Sequence, residues 1–382
     1  MRFRPALAAL GLLLAGCGGS HVSTLPPADR ALQPQLNGGT GSLARPTLYV
    51  AGQGSVFAYD LTASGDAAPI SKSGGYYYSA LVQSSSIAGI ATNSAGDLVV
   101  VQNNGTNNGY TCQIVLIQAR TSADVNQPIA HYPCVPYDFN GVGTYGHAVG
   151  VTFTGGPTGP GNAFTDDIDV LMHYELPQNS SDEGCNGISQ SQYEVDRYRV
   201  IPGSISPMPC IVLSHAATAG SDYHAIAGST NGAFFVDYSS VGASDTIERY
   251  ASIPGPPTNT APIPGAGALA VSANPVTNVG HRVVASTVGN ATTIYSFTMS
   301  GISMTFNHAL GTFTNPVAAL AVDNDGKIYV GIDQPNGVTK VKVYGPSKTE
   351  ATNPDSILNN PVRRPNPAAT PEAGITGMAI AQ

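Results

Sequence analysis

Residues 87–101 read I-A-G-I-A-T-N-S-A-G-D-L-V-V-V, and residues 317–331 read V-A-A-L-A-V-D-N-D-G-K-I-Y-V-G. Each is a short apolar run, a polar turn ending on glycine, and a second apolar run of Val, Ile or Tyr. That pattern spells strand, tight turn, strand. Two copies far apart in one chain indicate a repeat architecture, in which one supersecondary unit recurs.

Further copies surround these two. H-A-I-A-G (224–228) leads through Gly232 into a second apolar run, and G-H-A-V-G-V-T-F (146–153) leads into I-D-V-L-M-H (168–173) across a Pro/Gly-rich insertion. A-G-A-L-A-V (266–271) pairs in the same way with H-R-V-V-A-S-T (281–287). After each pair a third strand is expected, over 55–61, 112–118, 192–200, 245–251, 292–299 and 338–344, with a weaker fourth behind it. The intervals from Gly96 to Gly232 and on to Gly326 each hold two units near the length of a four-stranded propeller blade. The chain finishes on G-I-T-G-M-A-I-A (374–381), a first strand with no second, while P-T-L-Y-V-A (46–51) is a second strand with no first. Joined, they complete one blade. The expected fold is all-β, a six-bladed β-propeller closed by its N- and C-terminal strands, which leaves only short strand edges and suits a monomer.

The runs S-V-F-A-Y-D-L-T-A-S-G-D-A-A-P-I (55–70) and N-P-V-A-A-L-A-V-D-N-D-G-K-I-Y-V (315–330) resemble NHL-type and gluconolactonase-like six-bladed propellers of bacterial secreted proteins and lipoproteins. The resemblance spans nearly all of 46–382, and its motifs mark strands and turns. It implies the fold; among such families are lyases, lactonases and cell-surface binding proteins.

Ahead of the domain, Arg2 and Arg4 precede a ten-residue apolar run, Ala6–Ala15, too short to span a bilayer. Leu14-Ala15-Gly16-Cys17 follows, and it resembles the lipobox of bacterial lipoproteins. The expected organisation is a lipoprotein signal peptide over 1–16, a lipid-anchored flexible tether over 17–45, and the propeller over 46–382. Cys17 is the expected lipidation site, carrying acyl lipid such as palmitate. Gly18 in place of Asp favours an outer-membrane address in a host that has one. The alternative is an ordinary secretory signal with a chance cysteine.

Only 10% of residues are charged, there are 16 Lys plus Arg against 24 Asp plus Glu, and no basic block occurs. Nucleic acid is therefore not an expected partner. The expected partners are the membrane, through the anchor, and an envelope protein, a peptide or a carbohydrate. Forty-four Gly and 29 Pro suit short strands joined by many turns. Besides Cys17 there are Cys112, Cys134, Cys185 and Cys210, without the close spacing of a metal site. In an oxidising compartment they allow three disulfide connectivities; Cys112–Cys134 and Cys185–Cys210 are favoured because each pair brackets one hairpin.

Several residues invite chemistry. His147 and His224 open H-A-V-G-V and H-A-I-A-G at what reads as the same place in adjacent repeats, where two imidazoles would share a proton or a metal. The resemblance to a six-bladed amidating lyase, which uses channel histidines on zinc, adds to that reading; Ala88 and Ala318 fill the corresponding places elsewhere. Asp323-Asn324-Asp325-Gly326 resembles the start of a calcium loop without its later Glu, and is also a strong hairpin signal. Gluconolactonase-like enzymes hold a divalent cation at inner strand ends. Asn93 and Asp323 stand at such ends here, but no early Glu exists, the first being Glu175. Asp166, Asp167 and Asp169 form a further acidic cluster, and Tyr76-Tyr77-Tyr78 a possible carbohydrate- or peptide-facing patch. No nucleophile elbow, zinc-protease helix or phosphate loop occurs. The functional expectation is an extracytoplasmic, lipid-anchored binding or scaffold module. The alternative is a metal-dependent hydrolase or lyase, lactonase-like or amidating-lyase-like, using calcium or zinc at the channel mouth.

Overall fold

The computed structural model describes residues 46–382 apart from 53, 71–77, 80–85, 94–95, 104–111, 118–129, 134–137, 140–141, 144–145, 156–166, 175–192, 202–203, 208–210, 214–220, 229–231, 241–244, 252–254, 266, 273–278, 287–291, 336 and 363–373. The chain separates into a unit of residues 1–33, outside the described residues, and a unit of residues 34–382. Among the described residues no helix is long and apolar enough to cross a membrane.

The second unit is a six-bladed β-propeller. The first blade holds β1 (Thr47–Ala51), β2 (Ser55–Asp60) and β3 (Tyr78–Ser79). The second holds β4 (Ser86–Thr92), β5 (Leu98–Asn103), β6 (Cys112–Ile117) and β7 (Ala130–Pro133), followed by a ribbon of β8 (Asp138–Phe139) and β9 (Val142–Gly143). The third comprises β10 (Gly146–Phe153), β11 (Asp167–Tyr174), β12 (Tyr193–Ile201), β13 (Ser204–Pro207) and β14 (Ile211–Val212). The fourth comprises β15 (Ser221–Gly228), β16 (Phe234–Ser240), β17 (Asp245–Tyr250) and β18 (Asn259–Ile263). In the fifth are β19 (Leu269–Val271), β20 (Val279–Ser286), β21 (Thr292–Ser300) and β22 (Ser303–Phe313). In the sixth are β23 (Val317–Val322), β24 (Ile328–Asp333), β25 (Thr339–Tyr344) and β26 (Ser356–Asn359). Strands within a blade pair antiparallel in chain order, except that β14 pairs with β12, and β27 (Gly377–Ala381) returns to complete the first blade beside β1. Thr47 faces Ala381 and Ala51 faces Gly377 in that closure.

Radial stacking explains why the second strands are apolar on both faces. In β5, Leu98 and Val100 pack toward the first blade with Tyr49 and Ala58. The intervening Val99 and Val101 pack toward the third with Ile168 and Val170. One such cluster fills each of the six seams. Burying a side chain of this size stabilises by roughly 1.5–3 kcal/mol, and every second strand contributes several.

The hairpins joining first to second strands in the second and sixth blades share one geometry. In the sixth blade the Gly326 N–H donates to the Asp323 carbonyl at 3.0 Å, and the Lys327 N–H donates to Asp323 Oδ1 at 2.7 Å. In the second blade Gly96 N–H and Asp97 N–H do the same with Asn93, at 3.0 and 2.8 Å. The turn requires a left-handed residue, and Gly96, Gly232 and Gly326 supply it at φ 84°, 82° and 77°.

Among the described residues four inner strands carry a bulge. The register shifts between Ile87 and Gly89, Ala148 and Gly150, Tyr223 and Ala225, and Val317 and Ala319. The extra residues are therefore Ala88, Val149, His224 and Ala318. This corrects the repeat alignment read from sequence: the counterpart of His224 in the third blade is Val149, and His147 lies two places earlier. The apolar residue two places beyond each bulge then falls at one height, as Ile90, Val151, Ile226 and Leu320.

Candidate functional site

The inner strands enclose two cavities on the axis. Both are lined by Ile90, Val151, Ile226, Leu269, Leu320 and Met378, one from each blade. These six aliphatic side chains form a girdle between the cavities, all nearly inaccessible to solvent. On one side lies a mouth of about 330 Å³, lined also by the bulge residues Ala88, Val149, His224 and Ala318 and by Gly267 and Thr376. On the other lies a smaller space of about 120 Å³, bordered by Thr92, Asn93, Thr152 and Gly155.

Of the two histidines singled out by the sequence, His224 alone lines the wide mouth, because the bulge turns it inward. Its Nε2 lies 2.8 Å from Ser239 Oγ and 3.9 Å from Asp222 Oδ2. Hydroxyl and carboxylate thus approach the same ring nitrogen. A nucleophilic triad needs the carboxylate on the other nitrogen, so this arrangement does not orient the imidazole as a general base.

His147 does not meet His224. It sits directly across β11 from His173, with ring centroids 4.9 Å apart and planes at 85°. His173 faces Tyr193 across β12 and stacks on it, centroids 4.4 Å apart at 18°. The Tyr193 hydroxyl donates to Asp222 Oδ1 in the next blade. Burial, reinforced by Asp222, pushes the Tyr193 phenol up, so it stays protonated and a donor. A row of side chains therefore crosses three strands of the third blade and ends on the fourth, beside His224. Sequence reading missed His173, Tyr193, Asp222 and Ser239. The antiparallel register would have found His173, but the insertion between β10 and β11 hides it.

The remaining candidates have other occupations. Asn93 and Asp323 are the turn residues described above; Asn93 Nδ2 also reaches Asp97 Oδ2 at 3.2 Å, and Tyr329 donates to Asp323 Oδ2 at 3.3 Å. Burial pushes the Asp323 carboxyl up. Asp169, fully buried, receives Arg197 through Nε and a terminal nitrogen, both at 2.7 Å, and Thr154 Oγ1 at 2.9 Å. Burial still pushes its carboxyl up, while Arg197 and Thr154 pull the other way. Asp167 meets Arg199 at 3.2 Å. These two carboxylates of the acidic cluster are thus turned to arginine. Among the described residues no three of His, Cys, Asp and Glu gather as a metal cage. Cys112 is fully buried at the start of β6. Cys17, Cys134, Cys185, Cys210, Asp166, Tyr76 and Tyr77 lie outside the described residues, as does the lipobox; Tyr78 opens β3.

Polar side chains also latch one blade to the next. At the end of β5, Asn103 accepts from the Ala148 N–H at 2.8 Å and donates to its carbonyl at 2.9 Å. At the same place in β24, Asp333 accepts from the Ile375 N–H at 2.9 Å. In β16, two places deeper, Asp237 accepts from the Gly267 N–H at 2.8 Å. Asp237 is inaccessible to solvent, and its Oδ1 has no hydrogen-bond partner among the described residues. Burial pushes its carboxyl well above the usual range, and nearby Asp245 adds to the effect.

No protein-family model and no curated protein matches the chain. Solved structures similar to it include a protein of unknown function from Bacteroides caccae, at 10% identity over 89% of this chain and 100% of that one, TM-score 0.48. The β-propeller domain of Swd1 from Myceliophteria thermophila is similar at 10% identity over 82% of each chain, TM-score 0.46. The hydrazine synthase of Kuenenia stuttgartiensis is similar at 14% identity over 78% of this chain and 73% of that one, TM-score 0.44. The fold assignment rests on this chain's own strand order and closure.

Proposed function

We propose that this chain is an extracytoplasmic binding or scaffold module, held at the cell envelope by lipid on Cys17 and related to NHL-type bacterial propellers. The observation that carries the reading is the aliphatic girdle. It lines the axis with one apolar side chain from each blade, an arrangement suited to presenting loops and faces to a partner. An envelope protein, a peptide or a carbohydrate is the ligand class in view, with the Tyr76–Tyr78 segment as one point of contact. The outer membrane is the proposed address where the host has one.

The disulfides Cys112–Cys134 and Cys185–Cys210 belong to this proposal. β6 and β7 pair Gln113 with Pro133, the sequence neighbours of Cys112 and Cys134, which supports the first bridge.

The test compares the full chain with Cys17→Ala in a bacterial host that processes lipoproteins. Palmitate labelling and membrane fractionation are expected for the parent and lost in the variant; equal labelling and partition of the two overturns the anchor. Lactone hydrolysis or amide-forming lyase activity that depends on added calcium or zinc overturns the binding reading.

A further inference from the structure

We propose that His147 and His173 form a two-imidazole site for a borderline transition-metal ion on the rim of the third blade, separate from the axial channel. The two residues are a directly opposed cross-strand pair on β10 and β11, so the backbone register, and not side-chain reach, brings the rings together. Their centroids are 4.9 Å apart, with the planes nearly perpendicular. An ion bound at about 2.1 Å by one nitrogen of each ring sets the two ring centres about 5 Å apart when the bonds meet near the tetrahedral angle. The pair already has that separation, and a turn of one edge-to-face ring brings a nitrogen of each onto a shared ion.

The neighbours favour an ordered ligand. His173 is held face to face with Tyr193, which is fixed in turn by its hydroxyl on Asp222. Such outer contacts set the plane of a ligating ring before the ion arrives. His147 is exposed, so its ring turns at little cost. Two protein ligands leave the other positions to water or to groups of a ligand, which makes this an open site and not a structural clamp. With imidazole donors the affinity order is Cu²⁺ above Ni²⁺ and Zn²⁺. His224 does not belong to the pair: its ring is engaged with Ser239 at the channel mouth.

The experiment titrates the full-length, detergent-solubilised protein with Cu²⁺ alone, followed by calorimetry and by electron paramagnetic resonance. Four proteins are compared: the parent, His147→Ala, His173→Phe and His224→Ala. His173→Phe keeps a ring stacked on Tyr193 while removing both nitrogens; circular dichroism and thermal melting establish that each variant is folded, so that loss of binding is read apart from loss of folding. The expected result is one equivalent with nitrogen hyperfine structure from two imidazoles, weakened at least tenfold in His147→Ala and in His173→Phe, and unchanged in His224→Ala. No binding by the parent up to millimolar Cu²⁺, equal binding by parent and His147→Ala, or loss in His224→Ala overturns the proposal. The outcome is independent of lipid attachment at Cys17, so the anchor and the metal site fail separately.

Discussion

Two seams of the ring solve the same problem with different chemistry. Between the second and third blades, the amide of Asn103 meets both the N–H and the carbonyl of Ala148. Between the fourth and fifth, Asp237 accepts from the Gly267 N–H, and among the described residues its buried Oδ1 has no hydrogen-bond partner. A neutral amide offers both donors and an acceptor, which match the carbonyl and N–H that Ala148 presents beside its bulge. A carboxylate offers only acceptors, so Asp237 fits that seam best with a proton on it. Geometry alone therefore does not rank the latches; their donor and acceptor inventory does.

Asn103→Leu breaks the better latch and carries the largest expected effect. Two buried backbone groups of Ala148 lose their partners, and stability should fall by about 2–4 kcal/mol, read from urea unfolding. An unchanged midpoint would mean that water replaces the amide.

A smaller loss is expected at the third latch, which closes the ring. A Cβ on Gly374 would sit 1.7 Å from Asp333 Oδ2, so Gly374→Ala forces Asp333 off the Ile375 N–H. The cost should be about 1–3 kcal/mol. In an Asp333→Ala background most of that penalty should vanish, and a double-mutant cycle showing additivity would refute the clash as its cause.

Asp237→Asn should sharpen the comparison by turning one seam into the other. The folded carboxyl of Asp237 is raised above the ordinary aspartate value of 3.8, so the native state holds a proton that the unfolded state releases. The contribution is fully present below about pH 4 and is lost as pH rises through the raised value. An amide imitates the protonated form at every pH. The variant should match the parent near pH 4 and exceed it by about 1 kcal/mol at neutral pH, measured as melting temperature across a pH series. A constant difference over that range would exclude titration of Asp237.

How far the sequence was legible depends on how local each determinant is. The Gly96 and Gly326 hairpins, the third strands and the pairing of 46–51 with 374–381 are written in short stretches whose alternation and turn chemistry are self-sufficient. The placement of His147 and His224 is not. Aligning H-A-V-G-V with H-A-I-A-G slips the third blade by two residues, and a slip of two keeps every side chain on its original face. Hydropathy is therefore silent about the error, and only the bulges at Val149 and His224 reveal it. The Asp169–Arg197 pair was hidden for another reason: Arg197 comes from the third strand beyond a long insertion, so the sequence shows only the cluster of Asp166, Asp167 and Asp169.

The pairing of β27 with β1 also bears on how the molecule comes to exist. Thr47 bonds to a strand containing Ala381, so the first blade stays a sheet without its innermost strand until all the other blades have been synthesised. Closing so long a loop carries an entropic cost that grows only logarithmically with length, but it makes the last contact the slowest kind to form. During that interval the edge of β1 is an open template. Folding of this ring is thus timed by its final strand, and a nascent chain stopped short of residue 377 would display, for as long as it lasts, an edge of β1 that the finished protein hides.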